Sequence, residues 1–306
     1  MNTQLNEWMA AALVFALMSA PTQAGTTNAK FDFDASAGYR YDSNVNIAEI
    51  DANTGEGDNA LVLDVGVDGT LPIGRRLSLS LGYGYTDTAY RNFSEFDLEM
   101  HHLRGELGYR IAGFDTALSL DRFAASLDSE SFLDITRVSP SVSRLFGNRI
   151  YLRGAYAESD KSYDGLADRN AINDALRADA YFLIDGMQRY LALTLQRDTE
   201  DALANEFDYD GMRTGIAYGH RIETAFAPLD LKAHLQFENR DYAFVGDDAE
   251  ARPRRDERLR AGLSAVMPIS EHFDLNGEIA YADNASTLDA ARYDEIIYGI
   301  NVAIGF

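Results

Sequence analysis

The chain has 306 residues, with 49 Asp and Glu against 27 Lys and Arg. Its formal net charge of -22 at pH 7 excludes nucleic-acid binding by charge, because phosphates demand a basic face. The absence of Cys excludes a disulfide framework, a thiolate metal site and acylation of an N-terminal Cys.

Hydrophobic content is 46%, ordinary for a soluble protein. A membrane β-barrel, however, needs apolar residues only at alternate strand positions and shows no long hydropathy run. Residues 1–24 read as a cleaved secretory signal peptide, leaving 25–306 as one domain. Residues 10–18 (AAALVFALM) form an apolar core too short to span a bilayer, and 19–24 (SAPTQA) supply small residues for cleavage. The leader departs from the usual pattern in lacking Lys and Arg and in carrying Glu7.

From Lys30 onward the sequence predicts an all-β chain of about fourteen strands, each roughly ten residues long as lipid-spanning strands require. The first, 30–42, alternates Phe31, Phe33, Ala35, Ala37, Tyr39 and Tyr41 with Asp32, Asp34, Ser36, Gly38 and Arg40. A period of two sends these sets to opposite faces. The second, 60–71, sets Leu61, Leu63, Val65, Val67 and Leu71 against Asp64, Gly66 and Asp68. The third, 77–90, sets Leu77, Leu79, Leu81, Tyr83 and Tyr85 against Ser78, Ser80, Gly82 and Gly84. Alternation is weaker in the next six, placed near 97–110, 114–126, 132–145, 150–160, 172–183 and 189–198. The last five fall near 207–221, 229–243, 255–267, 273–284 and 293–306.

The connections alternate in kind. Short ones are expected at 72–76, 112–113, 146–149, 185–188, 222–228 and 268–272. Generally longer, acidic ones are expected at 43–59, 91–96, 127–131, 161–171, 199–206, 245–254 and 285–292. Short turns on one side and longer loops on the other is the pattern of an outer-membrane barrel with periplasmic turns and outer loops. Pro140 falls inside a strand, where it deletes one ladder bond. The only Trp, Trp8, lies in the leader, so interfacial belts fall to Tyr and Phe.

Tyr298, Ile300, Val302, Ile304 and the terminal Phe306 share one face of the last strand. A bare apolar strand end exposes an edge in a soluble sheet, whereas a closed barrel pairs its last strand with its first. The pattern resembles the C-terminal assembly signal of bacterial outer-membrane barrels. It implies outer-membrane lipid and the barrel-assembly machinery as partners.

The opposite, inward face is rich in charge: Asp32, Asp34, Arg40, Asp64, Asp68, Arg104, Glu106, Arg110, Arg137, Arg153, Arg177, Asp179, Arg213, Lys232, Glu238, Arg258, Arg260 and Glu278. Such a lumen is either a hydrated conduit whose field selects cargo or an ion-paired filling that braces the wall.

Enzymatic chemistry has little support. Among His101, His102, His220, His234 and His272, only His272 has a Ser two residues away, Ser270, and that pair falls in the short connection expected at 268–272 rather than on a strand face. Glu99 and His101 share a face without a further acid beside them, and the adjacent His101 and His102 point to opposite faces, so no catalytic, metal or cofactor site is assigned. Asp51, Asn53, Glu56 and Asp58 look faintly like a calcium loop but lack the closing Glu; a solvated acidic loop is the expectation. No Gly-rich phosphate loop is present.

Several short stretches, YDSNVN at 41–46, FDYDGMRTGIAYGHRI at 207–222, FENRDY at 237–242 and DNAS at 283–286, resemble the C-terminal barrel of the surface lipoprotein assembly modifier family. The marker residues are Asp42, Asn44, Asn46, Asn239, Arg240, Asp241 and Asn284. The resemblance implies assistance in moving lipoproteins or other proteins to the cell surface, with a lipoprotein cargo or a periplasmic partner. Family members usually carry a periplasmic helical repeat domain, and here 25–29 alone separates the signal from the first strand. The other expectations are a passive, cation-favouring solute channel and a structural or adhesive barrel with a closed lumen.

Overall fold

The computed structural model describes residues 29–243 and 253–306; the expected signal peptide lies outside them. Fourteen antiparallel strands close into one barrel. They are β1 (Lys30–Asp42), β2 (Asp58–Ile73), β3 (Leu77–Tyr90), β4 (Leu98–Ile111), β5 (Phe114–Leu127), β6 (Glu130–Phe146) and β7 (Ile150–Tyr163), then β8 (Ala171–Leu183), β9 (Arg189–Ala202), β10 (Tyr209–Ile222), β11 (Leu229–Tyr242), β12 (Arg255–Pro268), β13 (Phe273–Ser286) and β14 (Tyr293–Gly305).

Each strand pairs with its sequence neighbours, and β1 pairs with both β2 and β14. Closure leaves no free edge, the condition for sheet in hydrocarbon. The apolar parity of each strand forms the exterior, where Phe31, Leu61, Leu81 and Leu176 are largely exposed.

The seam ends on Phe306. Its N–H donates to the Phe33 carbonyl at 2.9 Å, and Phe33 N–H donates to the Phe306 carbonyl at 3.1 Å. The Phe306 ring lies 4.9 Å from His272 and 6.4 Å from Phe33.

Two local features depart from strict alternation. Between Ala125 and Ser126 the register with β6 shifts, and Phe132 is the extra residue. This bulge turns both Phe132 and Leu133 to the interior, where both are buried. Pro140 leaves Tyr156 without a backbone donor, and the Ser139 hydroxyl donates to the Tyr156 carbonyl at 2.8 Å in its place.

The outer connection expected at 127–131 is not a longer loop. It is a two-residue turn at Asp128 and Ser129, both with positive φ, the conformation that matches strand twist in a hairpin. Three other outer loops share one device. Single 3₁₀ turns at Ser94–Phe96, Ala167–Arg169 and Asn205–Phe207 are followed by Asp97, Asn170 and Asp208. Their side-chain oxygens accept from the N–H of Tyr90, Tyr163 and Ala202 at 2.6, 2.7 and 2.6 Å, tying each loop back to the strand it leaves.

Candidate functional site: the lumen and its inward-folded loop

The first outer loop, residues 43–57, folds into the barrel mouth. Its neck is built by the YDSNVN stretch. Asp42 accepts from Asn44 N–H at 3.0 Å, an Asx turn. The Asn44 amide donates to the Asp294 carbonyl at 3.2 Å and accepts from Gly55 N–H at 2.9 Å. The Asn46 amide donates to Asn44 carbonyl and to the Glu295 carboxylate. A two-rung ribbon then pairs Asn46–Ile47 with Ala52–Asn53.

Val45 is 0% exposed and Ile47 7%. Ile47 joins Met100, Phe123, Phe132, Leu133, Ile135 and Tyr163 in an apolar cluster inside the barrel, so hydrophobic burial holds the loop down.

The loop tip is Asp51, in the left-handed region at φ 56°, which Asp tolerates better than most residues. Its carboxylate accepts from Arg254 at 2.6 and 3.0 Å and from Arg169 at 3.0 Å. Arg169 also donates to the Glu49 carbonyl at 2.9 Å. Both guanidiniums are braced from behind, Arg169 over the Phe207 ring at 4.1 Å and Arg254 over Tyr242 at 4.5 Å.

Burial alone would raise the Asp51 pKa; the two arginines outweigh it and hold the carboxyl below its usual 3.8. The expected solvated acidic loop is therefore corrected: Asp51 is a latch. Asp58 is bound elsewhere, accepting from Asn92 and Phe93 of the next loop.

Beneath the tip a cavity of about 60 Å³ remains, bordered by Asp51, Lys161, Glu200, Arg213 and Arg240. It has room for a few waters and nothing larger.

The inward parity carries the charged residues singled out from the sequence, and their surroundings divide in two. Around the wall formed by β4 to β12 they pair. Lys161 donates to Glu200 at 2.7 and 2.8 Å. Glu238, 1% exposed, faces Arg240 at 2.7 Å, Arg213 at 3.4 Å and Arg260 at 3.8 Å. Arg258 sits directly across the ladder from Glu238 and donates to Asn284 at 2.8 Å. Asp179 gathers Arg177 at 2.9 Å and Arg153 at 3.6 Å.

Arg104 pairs with Glu106 at 2.6 Å, and Arg110 with Asp115 at 2.7 Å near the periplasmic rim. Arg137 donates to Ser159 at 3.0 Å, Arg40 reaches Tyr90 at 3.5 Å, and Lys232 lies across from Gly219.

The periplasmic half of β1 and β2 is different. Asp32 stands directly opposite Asp68, a like-charge pair that costs stability. Asp32, Asp64 and Asp68 all lie within electrostatic reach of Asp34. Asp64 is held by the hydroxyls of Ser36 at 3.1 Å and Thr86 at 2.9 Å rather than by a cation. Arg104 is in reach of Asp68. Glu278 faces Gly299 on the adjoining wall.

The lumen also holds an arrangement that spacing along one strand does not reveal. The His102 ring nitrogen lies 2.9 Å from Asp121 and its ring stacks on Phe123 at 4.1 Å. The partners sit on neighbouring strands, out of sight of a search for His beside Ser on a single strand.

No protein-family model matches the chain, and no curated protein matches it. Solved structures do. An anion-selective porin from Comamonas acidovorans is 11% identical with a TM-score of 0.52, covering 91% of this chain and 99% of that one. An OmpF of Salmonella typhi is 13% identical with a TM-score of 0.51, covering 93% and 100%. A bacterial polysaccharide outer membrane secretin is 11% identical with a TM-score of 0.50, covering 92% and 99%. At these identities the likeness is one of architecture and does not carry the resemblance to the surface lipoprotein assembly modifier family. With the closed strand order and apolar exterior, it gives the chain the architecture of a bacterial outer-membrane β-barrel.

Proposed function

We propose that the protein is a passive, cation-favouring channel for small solutes whose outer mouth is stoppered by the first outer loop. The observation that carries this is the Asp51 carboxylate lodged between Arg169 and Arg254. A stopper whose tip is held by one carboxylate between two arginines suits a conduit that opens. The export of lipoproteins or other proteins rests on the sequence resemblance; a folded-in loop and an ion-paired lumen favour smaller cargo. The preference for cations rests on the acidic stripe of Asp32, Asp34, Asp64 and Asp68, which stands apart from the arginine-rich wall across the lumen.

The test is single-channel recording of the refolded protein in planar bilayers under a salt gradient. Brief openings of small conductance with a cation-favouring reversal potential are expected. Replacing Asp32 and Asp68 together by Asn is expected to lower the cation-to-anion permeability ratio about threefold or more, about 0.7 kcal/mol in barrier difference, while conductance persists. A barrel silent both as wild type and without residues 46–53 overturns the channel assignment.

The latch also sets a pH dependence. A carboxyl whose folded pKa is depressed contributes stability above its unfolded pKa and loses it as pH falls through the folded value. Open probability is therefore expected to rise as pH falls below the ordinary carboxyl range, where Asp51 is protonated. Recordings of Asp51→Asn across the same range are expected to show no acid step.

A further inference from the structure

We propose that the lipid-facing wall of β6 to β9 carries a seat for one phospholipid of the periplasmic leaflet, its acyl chain lying over Gly154, Ala178 and Ala180 and its phosphate on Arg144. Here two neighbouring ladder rows are hollow. In one, Gly154 and Ala178 lie side by side between Val142 and Leu195; in the other, Ala180 lies between Leu152 and Leu193. Small residues flanked by large ones make a trench, and its volume of about 610 Å³ falls in the range of roughly 300–1,000 Å³ typical of small-molecule sites.

Charge complementarity selects the occupant. Arg144 stands on the outward parity at the periplasmic end of the trench, beside the turn at Gly113. Its guanidinium lies 4.8 Å from the Phe114 ring and 5.0 Å from the Phe146 ring. Arginines on the outward parity elsewhere meet acids: Arg122 with Asp134, Arg197 with Asp210 and Arg255 with Asp241. No carboxylate among the described residues pairs with Arg144. Arg149 in the β6–β7 turn and Arg189 at the start of β9 add exposed positive charge along the same rim.

The rings fix the guanidinium plane and leave its N–H fork free for a bidentate partner. In a membrane the anion available at that depth is the lipid phosphate. An apolar trench ending in such a fork matches a molecule with a hydrocarbon tail and an anionic head. The seat does not depend on whether the lumen conducts.

Native mass spectrometry of the barrel released from mixed phosphatidylglycerol and detergent micelles tests this. Wild type is expected to retain one phosphatidylglycerol per barrel. Arg144→Gln is expected to retain it about tenfold more weakly, the loss of roughly one charge-assisted bond. Ala178→Leu with Ala180→Leu, which fills the trench, is expected to retain none. Because these positions face outward, each variant should keep its heat-modifiable gel mobility, and Arg197→Gln should bind as wild type does. Equal retention by all variants would show ordinary annular lipid and overturn the site. So would a stable oligomer that the trench-filling variant dissociates, since a second copy would then occupy the groove.

Discussion

Asp51→Ala is expected to convert a mostly closed channel into a mostly open one. Among the described residues the Asp51 carboxylate bridges Arg169 and Arg254, and its side chain is 9% exposed. Removing one partner of a largely buried pair leaves the others uncompensated, at a cost of about 3–5 kcal/mol for a fully buried case. Each 1.4 kcal/mol is tenfold in an equilibrium constant, so a cost of about 4 kcal/mol turns a ratio of roughly 30:1 into roughly 1:30. Arg254→Gln should act in the same direction but less, because Arg169 and the seat of Ile47 remain. The measurement is open probability in bilayers, with deletion of residues 46–53 as the upper limit. Unchanged gating in Asp51→Ala, beside a deletion that opens the pore, would sink the latch and leave the loop's apolar seat as its sole anchor.

Glu238→Leu is expected to be the most destabilising single change in the wall. One carboxylate at 1% exposure faces the guanidiniums of Arg213, Arg240 and Arg260, with Arg258 across the ladder. Deleting it strands several cations in a region of low dielectric, and a loss of about 3–5 kcal/mol follows. Urea unfolding in micelles reads it. Asp210→Asn is the contrast, because its pair with Arg197 leaves both side chains well exposed, 65% and 70%, and a change within about 0.5 kcal/mol is expected. Pairing Glu238→Leu with Arg258→Met should recover part of the loss if the two are coupled. Equal midpoints for Glu238→Leu and Asp210→Asn would show that the cluster is hydrated and not a brace.

The barrel was legible from period-two alternation wherever the exterior is hydrocarbon-facing along the whole strand. β1 and β3 match their expected bounds of 30–42 and 77–90. β4 to β8 were harder because the pattern inverts at their outer ends. There Asp134, Glu158, Asp160 and Asp174 face outward above the apolar belt, while Met100, Phe123 and Ile135 face inward beneath the folded loop. The bulge at Phe132 adds one more phase error.

The inward charges were readable as a class, since parity alone places them. Their pairing was not, because the partners lie on other strands. The stopper was least visible. YDSNVN stood out as a marker, but nothing local says that Asp51 meets arginines 118 and 203 residues further on.

The loop's neck is fastened to the last strand as well as the first. Ser43 N–H donates to the Ile296 carbonyl at 3.0 Å, and Ile296 N–H donates to the Ser43 hydroxyl at 2.7 Å across a sequence separation of 253. Contacts of such separation carry the largest loop-closure entropy and form late. The stopper therefore has no complete seat until β14 has docked on β1. During biogenesis an unfinished barrel is an open ring, and the same event that completes its wall also shuts its mouth. The order of assembly thus seats the loop only in a finished barrel.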